Sequence, residues 1–397
     1  MTCITFIAGT YQPEKCGVAH YTARLREALN ELGVASKVLT THAVTSQDAN
    51  VQGVVEHWRI TDIVRLVPVI HQQNPEILHI QHAAGTYGFE RAIFLLPLLL
   101  KATGWRGKLV TTVHEYGWWE WLPPGIPPEW IESLKVWGQQ HGCWDREDGF
   151  LLTLSDAVIT TNPEAEAVIR QRLPALPNVY RIAIAPNIEV APIERQVARQ
   201  LLRQCCDWDA DTDAIAFFGF LHPVKGLETL LPAFKQVQQL QPQARLVLIG
   251  GVESLALRGS EAKHYWDQLH ALVAQLDLSN VVCFTGYVDA QTASHYLTGA
   301  NIGVLPFNHG VTLKSGSLLT LLAHQLPVVA TEHPDSLPPE HPVFLVSPHN
   351  VDALATQLLA LLNNPAQRNQ SRPNAQSFIQ NFNWQSIAQA HIKIYNG

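Results

Sequence analysis

The chain has 397 residues, 47% apolar and 15% charged, with a formal net charge of −7. That length suits two domains, each with its own core, and the composition excludes a largely disordered chain. The negative balance excludes broad nucleic-acid binding, which needs a basic face, yet leaves room for a local basic site that takes a phosphorylated ligand.

Six cysteines, Cys3, Cys16, Cys143, Cys205, Cys206 and Cys283, form no C-x-x-C pair and no small disulfide framework, a usage suited to a reducing compartment. The opening MTCITFIAGTYQPEK lacks a basic leader before a long apolar core, so it reads as a first buried strand and not as a signal peptide. The longest apolar run, Ala92 to Leu100, falls far short of the roughly 20 residues that a spanning helix needs. Flanked by Arg91 and Lys101, it fits a core helix better than a helix lying on a membrane surface. The expected location is cytoplasmic, with a peripheral position on the inner face of the membrane left open.

Strands are expected at Ile4 to Ala8, Val34 to Leu39, Ile77 to Gln81, Lys108 to Val113, Ala157 to Thr161 and Arg181 to Ala185. Between the first two lies a helix with Leu25, Leu29 and Leu32 on one face and Gly33 as its stop. Cys16-Gly17 stands where that helix begins, and a glycine there serves either close ligand approach or only a tight turn. Asn162-Pro163 opens a later helix in cap-then-proline order. Alternating strand and helix implies a parallel sheet with helices on both faces, and ligands of such sheets sit beyond the carboxyl ends of the strands.

His114 lies at such an end, where an imidazole either hydrogen-bonds a ligand or is a satisfied structural residue. His114-Glu115 is not followed by a histidine three residues on, and His79 and His82 lack partners at ligand spacing, so no zinc motif is present. Six of the eleven tryptophans fall between Trp118 and Trp144, broken by two Pro-Pro pairs. Such a stretch suits an acceptor-binding surface as well as a loop pinned by its indoles.

After a helical connector with an acidic end (Asp207, Asp209, Asp211, Asp213), the alternation restarts. Strand Ile215 to Phe218 ends at Gly219, and Lys225-Gly226 carries the chain into a helix. Strands follow at Arg245 to Ile249, Val281 to Thr285, Ile302 to Leu305, Pro327 to Ala330 and Val343 to Val346, then helices from Val351. Between the third and fourth of these, the loop Asn308 to Ser317 holds Lys314 and leads through Ser315-Gly316-Ser317 into a leucine-rich helix. Unbonded amides at a helix start, with a lysine before them, make a seat for an anion, although any such turn also wants a serine cap. Two lysine loops from one sheet edge suit a diphosphate better than a monophosphate.

PEKCGVAHYT, VTTVHEYG, FFGFLHPVKGLETLLPAF, LVLIGG and LPFNHGVTLKSGSLLTLLAHQLPVVAT, in this order and spacing, resemble glycosyltransferase family 4 over nearly the whole length. The resemblance implies an α/β fold of GT-B type, two Rossmann-like domains whose parallel sheets face each other across a cleft. An acceptor-side domain is then expected over 1–186, a linker over 187–213, a nucleotide-sugar domain over 214–375 and a final helix over 376–397 that crosses back. It further implies a retaining, hexosyltransferase-type enzyme that needs neither metal nor cofactor. Such an enzyme moves sugar from a nucleotide-diphosphate sugar to a glycan, lipid-linked or small-molecule acceptor.

By position, the resemblance gives Lys225 to the diphosphate, Gly17 to a phosphate-facing loop and His114 to the neighbourhood of the donor sugar. Lys314 joins His114 and Lys225 as a catalytic candidate. Gly219, Ser315, Gly316, Ser317 and Leu318 complete the donor side, and Trp118 and Trp119 are the acceptor candidates. Phe220 stands where the family commonly has arginine, and Thr312 and Thr320 where it has paired glutamates. These departures keep two other readings open, a binding partner without turnover and a nucleotide-sugar epimerase.

Overall fold

The structure, a computed structural model, describes residues 4–13, 16–117, 127–209, 212–254, 257–333 and 337–397. The chain divides into two compact units, Met1–Ile184 with Trp384–Gly397, and Ala185–Asn383.

The first unit runs β1 (Ile4–Ala8), α1 (Gly17–Glu31), β2 (Ser36–Thr41), β3 (Val51–Val55), α2 (Ile60–Gln73), β4 (Ile77–His82) and α3 (Leu96–Ala102). It continues through β5 (Lys108–Val113), α4 (Pro128–Gln140), α5 (Phe150–Thr153), β6 (Ala157–Thr160), α6 (Pro163–Arg172) and β7 (Val179–Arg181). Its strands pair in parallel in the order β3-β2-β1-β4-β5-β6-β7 among the described residues. Both faces of such a sheet are covered, which is why β1, β4 and β6 are buried along their whole length.

The second unit begins with α7 (Arg195–Cys206) and β8 (Asp213–Phe218), then α8 (Leu227–Leu240), β9 (Ala244–Ile249), α9 (Gly259–Gln275), β10 (Val282–Gly286) and α10 (Ala290–Gly299). It ends with β11 (Ile302–Leu305), α11 (Gly316–Ala323), β12 (Val328–Thr331), β13 (Val343–Val346), α12 (Val351–Asn363) and α13 (Pro365–Ile379). These strands are also parallel, in the order β10-β9-β8-β11-β12-β13. One apolar core fills the unit, with Phe217, Phe234 and Leu248 inaccessible to solvent. The last helix, α14 (Trp384–Asn396), belongs to the first unit, where it packs on α1 and buries Ile387, Ile394 and Tyr395.

Four details differ from the sequence reading. VQGVV forms β3, a strand not foreseen, because β2 offers it a free edge. The seventh strand is Val179–Arg181 and not Arg181 to Ala185; its partner β6 ends at Thr160, opposite Arg181, so no pairing remains beyond it. Much of the expected linker is part of the second unit, since α7 buries Ala198 and Leu202 and packs on α10. Cys206 and Cys283 form a disulfide across 77 residues, with Cα atoms 5.6 Å apart, because α7 ends beside the edge strand β10. No helix of the described residues is long and apolar enough to cross a membrane.

Phe217 lies near the end of β8, a central strand of its sheet, with no exposure. Phe217→Ala should cost about 3–5 kcal/mol in urea unfolding followed in the second unit; a loss under about 1 kcal/mol would show that this strand does not carry the core.

Candidate functional site

In the second unit the strand order reverses between β8 and β11. Crossovers leave these two neighbours in opposite directions, so their loops open a crevice at the carboxyl ends of the strands. The loop after β8 and the loop after β11 are tied together there. Asn308 Nδ2 donates to the Pro223 carbonyl at 3.0 Å, and the Asn308 amide donates to the Val224 carbonyl at 3.0 Å. Gly226, which caps α8, has φ +68°, and a Cβ on it would lie 1.9 Å from the Pro306 carbonyl oxygen. Gly219, at φ +138°, similarly leaves room for Ser317 Oγ, which a Cβ would meet at 2.7 Å.

Lys225 is held by this contact. Its Nζ stands 3.8 Å from the centroid of the Phe307 ring, and no carboxylate pairs with it among the described residues. Loss of solvent lowers its pKa to about 8. A half-buried ammonium over an aromatic face, without a counter-ion, is a cation in want of an anion.

Beyond β11 the chain turns at Thr312, whose carbonyl accepts from the Ser315 amide at 3.0 Å. Thr312 is buried, and its Oγ1 accepts from the Lys314 amide at 3.4 Å. Ser315 caps α11, its Oγ accepting from the Leu318 amide at 3.3 Å. The cap therefore uses the Leu318 amide that the sequence reading offered to a diphosphate. The amides of Gly316 and Ser317 find no acceptor among the described residues and sit at the positive end of α11. Lys314 is exposed, and no recorded contact joins it to Lys225. Thr320 stands apart from the others: it is inaccessible to solvent, and its Oγ1 has no hydrogen-bond partner among the described residues.

The first unit has its own reversal, between β1 and β4. Gly17 opens α1 just beyond the end of β1, with open space where a Cβ would stand. His114 follows β5, its amide donating to the His82 carbonyl at 2.9 Å. The His114 Nε2 lies 2.9 Å from Gln81 Oε1, and the ring packs edge-on against Tyr21. Gln81 Nε2 meets His79 Nε2 at 3.1 Å, and His79 Nδ1 meets the Tyr395 hydroxyl of α14 at 2.6 Å. With Nε2 engaged, only Nδ1 of His114 remains for a ligand. Burial, and then the neighbouring His82 and His391, hold the His114 pKa down to about 3, so the imidazole is neutral at physiological pH.

Sequence reasoning missed Gln81 as the partner of His114, and Tyr395 as the partner of His79. The clue for Gln81 was present, since it ends the same strand as His82. It also missed a buried acidic run, Asp145 to Asp148. There the Tyr116 hydroxyl donates to Asp145 at 2.5 Å, while Arg172 at 2.7 Å and the Gly117 amide bind Glu147. Asp148 lies 3.6 Å from His82; burial holds His82 down near 3 and pushes Asp148 well up, so burial disfavours charge on both partners. Trp118 and Trp119 lie outside the described residues. Trp130 and Trp137, from the same tryptophan-rich stretch, are 74% and 49% exposed on α4.

Two parallel doubly wound units in this order define the GT-B fold. Sucrose-phosphate synthase from Thermosynechococcus elongatus superposes with a TM-score of 0.73 at 20% identity, covering 100% of this chain and 98% of that one. Anabaena HepE, solved in complex with UDP and glucose, gives a TM-score of 0.71 at 15% identity over all of both chains. Residues 212–364, which contain the Lys225 and α11 loops, match the family model Glycosyl transferases group 1. A D-inositol 3-phosphate glycosyltransferase of Kineococcus radiotolerans is 27% identical over 230 residues, 54% of this chain and 51% of that protein. The lipopolysaccharide 1,2-N-acetylglucosaminetransferase of Salmonella typhimurium is 28% identical over 134 residues, 34% of this chain and 32% of that protein. The chain thus aligns with about half the length of the first of these relatives and a third of the other.

The two glycines at helix starts should respond differently to alanine. Gly226→Ala forces a left-handed φ on a residue with a Cβ and drives that Cβ into Pro306, so it should cost more than about 1 kcal/mol and weaken the lysine loop. Gly17→Ala meets open space and should stay within about 1 kcal/mol of the parent. Equal costs in urea unfolding would contradict the packing described.

Proposed function

We propose that the chain is a retaining glycosyltransferase of hexosyl type, which moves a sugar from a nucleotide-diphosphate sugar to a hydroxyl acceptor without a metal ion. The observation that carries this reading is Lys225, an uncompensated, desolvated cation at a strand-order switch point. Its loop packs against the one that leads to the free amides of Gly316 and Ser317. A diphosphate supplies the missing charge and the missing acceptors together. The complex of HepE with UDP and glucose makes UDP the first nucleotide to try.

In this mechanism the bond from the anomeric carbon to the diphosphate oxygen breaks, and its electron pair leaves with the diphosphate. Lys225, Lys314 and the amides of Gly316 and Ser317 stabilise that charge through fixed positions, which is preorganised electrostatics. The acceptor oxygen bonds to the same face, and its proton passes to the departing phosphate oxygen. His114, neutral and held by Gln81, offers Nδ1 to a sugar hydroxyl and carries no charge. The acceptor is a glycan, a lipid-linked sugar or a small molecule, with Trp118 and Trp119 as proposed contacts, and the chain acts in the cytoplasm or on the inner face of the membrane. Nucleic acid has no place in this reading.

Thr320 favours a second reading. Where the family has a glutamate, this chain has a buried hydroxyl without a partner among the described residues. A nucleotide-binding partner protein without turnover would follow.

Isothermal titration with UDP from about pH 7 to about pH 9.5 tests the donor site, since a terminal phosphate is already ionised there. Binding requires protonated Lys225, so affinity should hold below about 8 and fall by about tenfold per pH unit above it. Lys225→Ala should weaken binding at least about tenfold and remove the break. If UDP, GDP and ADP all fail to bind, the donor site is wrong. Binding without cleavage of UDP-glucose, with or without added acceptors, would select the second reading.

A further inference from the structure

Three sulfur atoms converge outside the sites described so far. Cys205 and Cys206 are the last two residues of α7, and Cys283 lies near the start of the edge strand β10. Their Sγ atoms all lie within 4.8 Å of one another. Cys206 and Cys283 are joined in the disulfide, and the third sulfur, which a two-cysteine staple does not require, belongs to exposed Cys205.

We infer that Cys205, Cys206 and Cys283, once reduced, form a three-thiolate site for a thiophilic d10 cation of the zinc or copper(I) class. The donor set is sulfur alone, which selects soft, polarisable cations over magnesium or calcium. With metal–sulfur bonds of about 2.3 Å, sulfurs in a tetrahedral or trigonal site stand about 3.8–4 Å apart. The three atoms here need shift by only about an ångström to reach that spacing, and side-chain rotation at Cys205 and Cys206 suffices. Because Cys205 faces solvent, the fourth position is open to water or a small ligand.

Loading proceeds in two balanced steps. An external dithiol gives two electrons and two protons to the Cys206–Cys283 bond, which breaks to two thiols, and the reagent leaves as its own disulfide. The cation then binds the three sulfurs and displaces one proton from each. Oxidised, the cluster staples α7 to β10 by a covalent bond; reduced, the cation makes the same link. The site therefore keeps the start of the second unit fastened to the edge of its sheet in either redox state.

The test uses the whole chain, reduced with a dithiol that is then removed without air, and titrated with cadmium(II) alone. Thiolate-to-cadmium charge-transfer absorption should rise to one equivalent, and the melting temperature should rise with it. Bound cadmium should protect Cys205, Cys206 and Cys283 together from iodoacetamide, read by peptide mass, while exposed Cys143 stays reactive. Cys205→Ser should abolish the first equivalent, as should Cys206→Ser and Cys283→Ser, whereas Cys143→Ser should retain it. Far-ultraviolet circular dichroism of each metal-free variant checks that it folds, and the protection pattern in the parent decides the matter where one does not. Retention of the equivalent in folded Cys205→Ser, protection of Cys143 instead of Cys205, or absence of any stoichiometric binding would overturn the inference. So would a disulfide that resists reduction, seen by peptide mass as Cys206 and Cys283 still joined after the dithiol treatment.

Discussion

The reversal of strand order between β8 and β11 is the constraint on which the second unit's chemistry depends. It sends two crossover loops away from adjacent strand ends, and the loops touch again only because Gly226 tolerates φ +68° against the Pro306 carbonyl. That contact brings Phe307 under Lys225 and takes water away from the ammonium. Burial without a partner is costly for a charge and lowers the lysine's pKa to about 8, which still leaves it protonated near neutrality and so able to meet an arriving anion. A left-handed glycine, an aromatic ring and a perturbed lysine are thus three aspects of one packing event.

The first unit repeats the topology and turns it to other use. Its reversal, between β1 and β4, is surrounded by histidines and a glutamine instead of lysines. Burial holds both rings in the series, His114 and His79, neutral, so they present directed hydrogen bonds without charge. The series ends on Tyr395, contributed by the last helix, which ties the orientation of His114 to the docking of a segment far away in sequence.

Much of this was legible from residues alone. β1, β5, β11 and β13 have the bounds that their apolar runs suggest, because strands of a covered parallel sheet are short, apolar and bounded by turn residues. β3 was not legible: five residues with a central glycine make a strand only when β2 stands beside them. Among site residues, Lys225 and the serine–glycine turn stood out by position. The lowered pKa of Lys225 did not, since it depends on a ring brought in from the loop after β11. Nor did the loss of the Leu318 amide to its cap, which rests on whether Ser315 Oγ turns inward or outward. The convergence of Cys205, Cys206 and Cys283 is likewise a product of α7 packing beside an edge strand, and no local spacing announces it.

The measurement that bears most directly on the account is a crystal structure of the chain with UDP. The account predicts that the diphosphate lies at the carboxyl ends of β8 and β11, with oxygens about 2.7–3.2 Å from Lys225 Nζ and from the amides of Gly316 and Ser317. A diphosphate bound elsewhere, with Lys225 still resting uncompensated on Phe307, would contradict it.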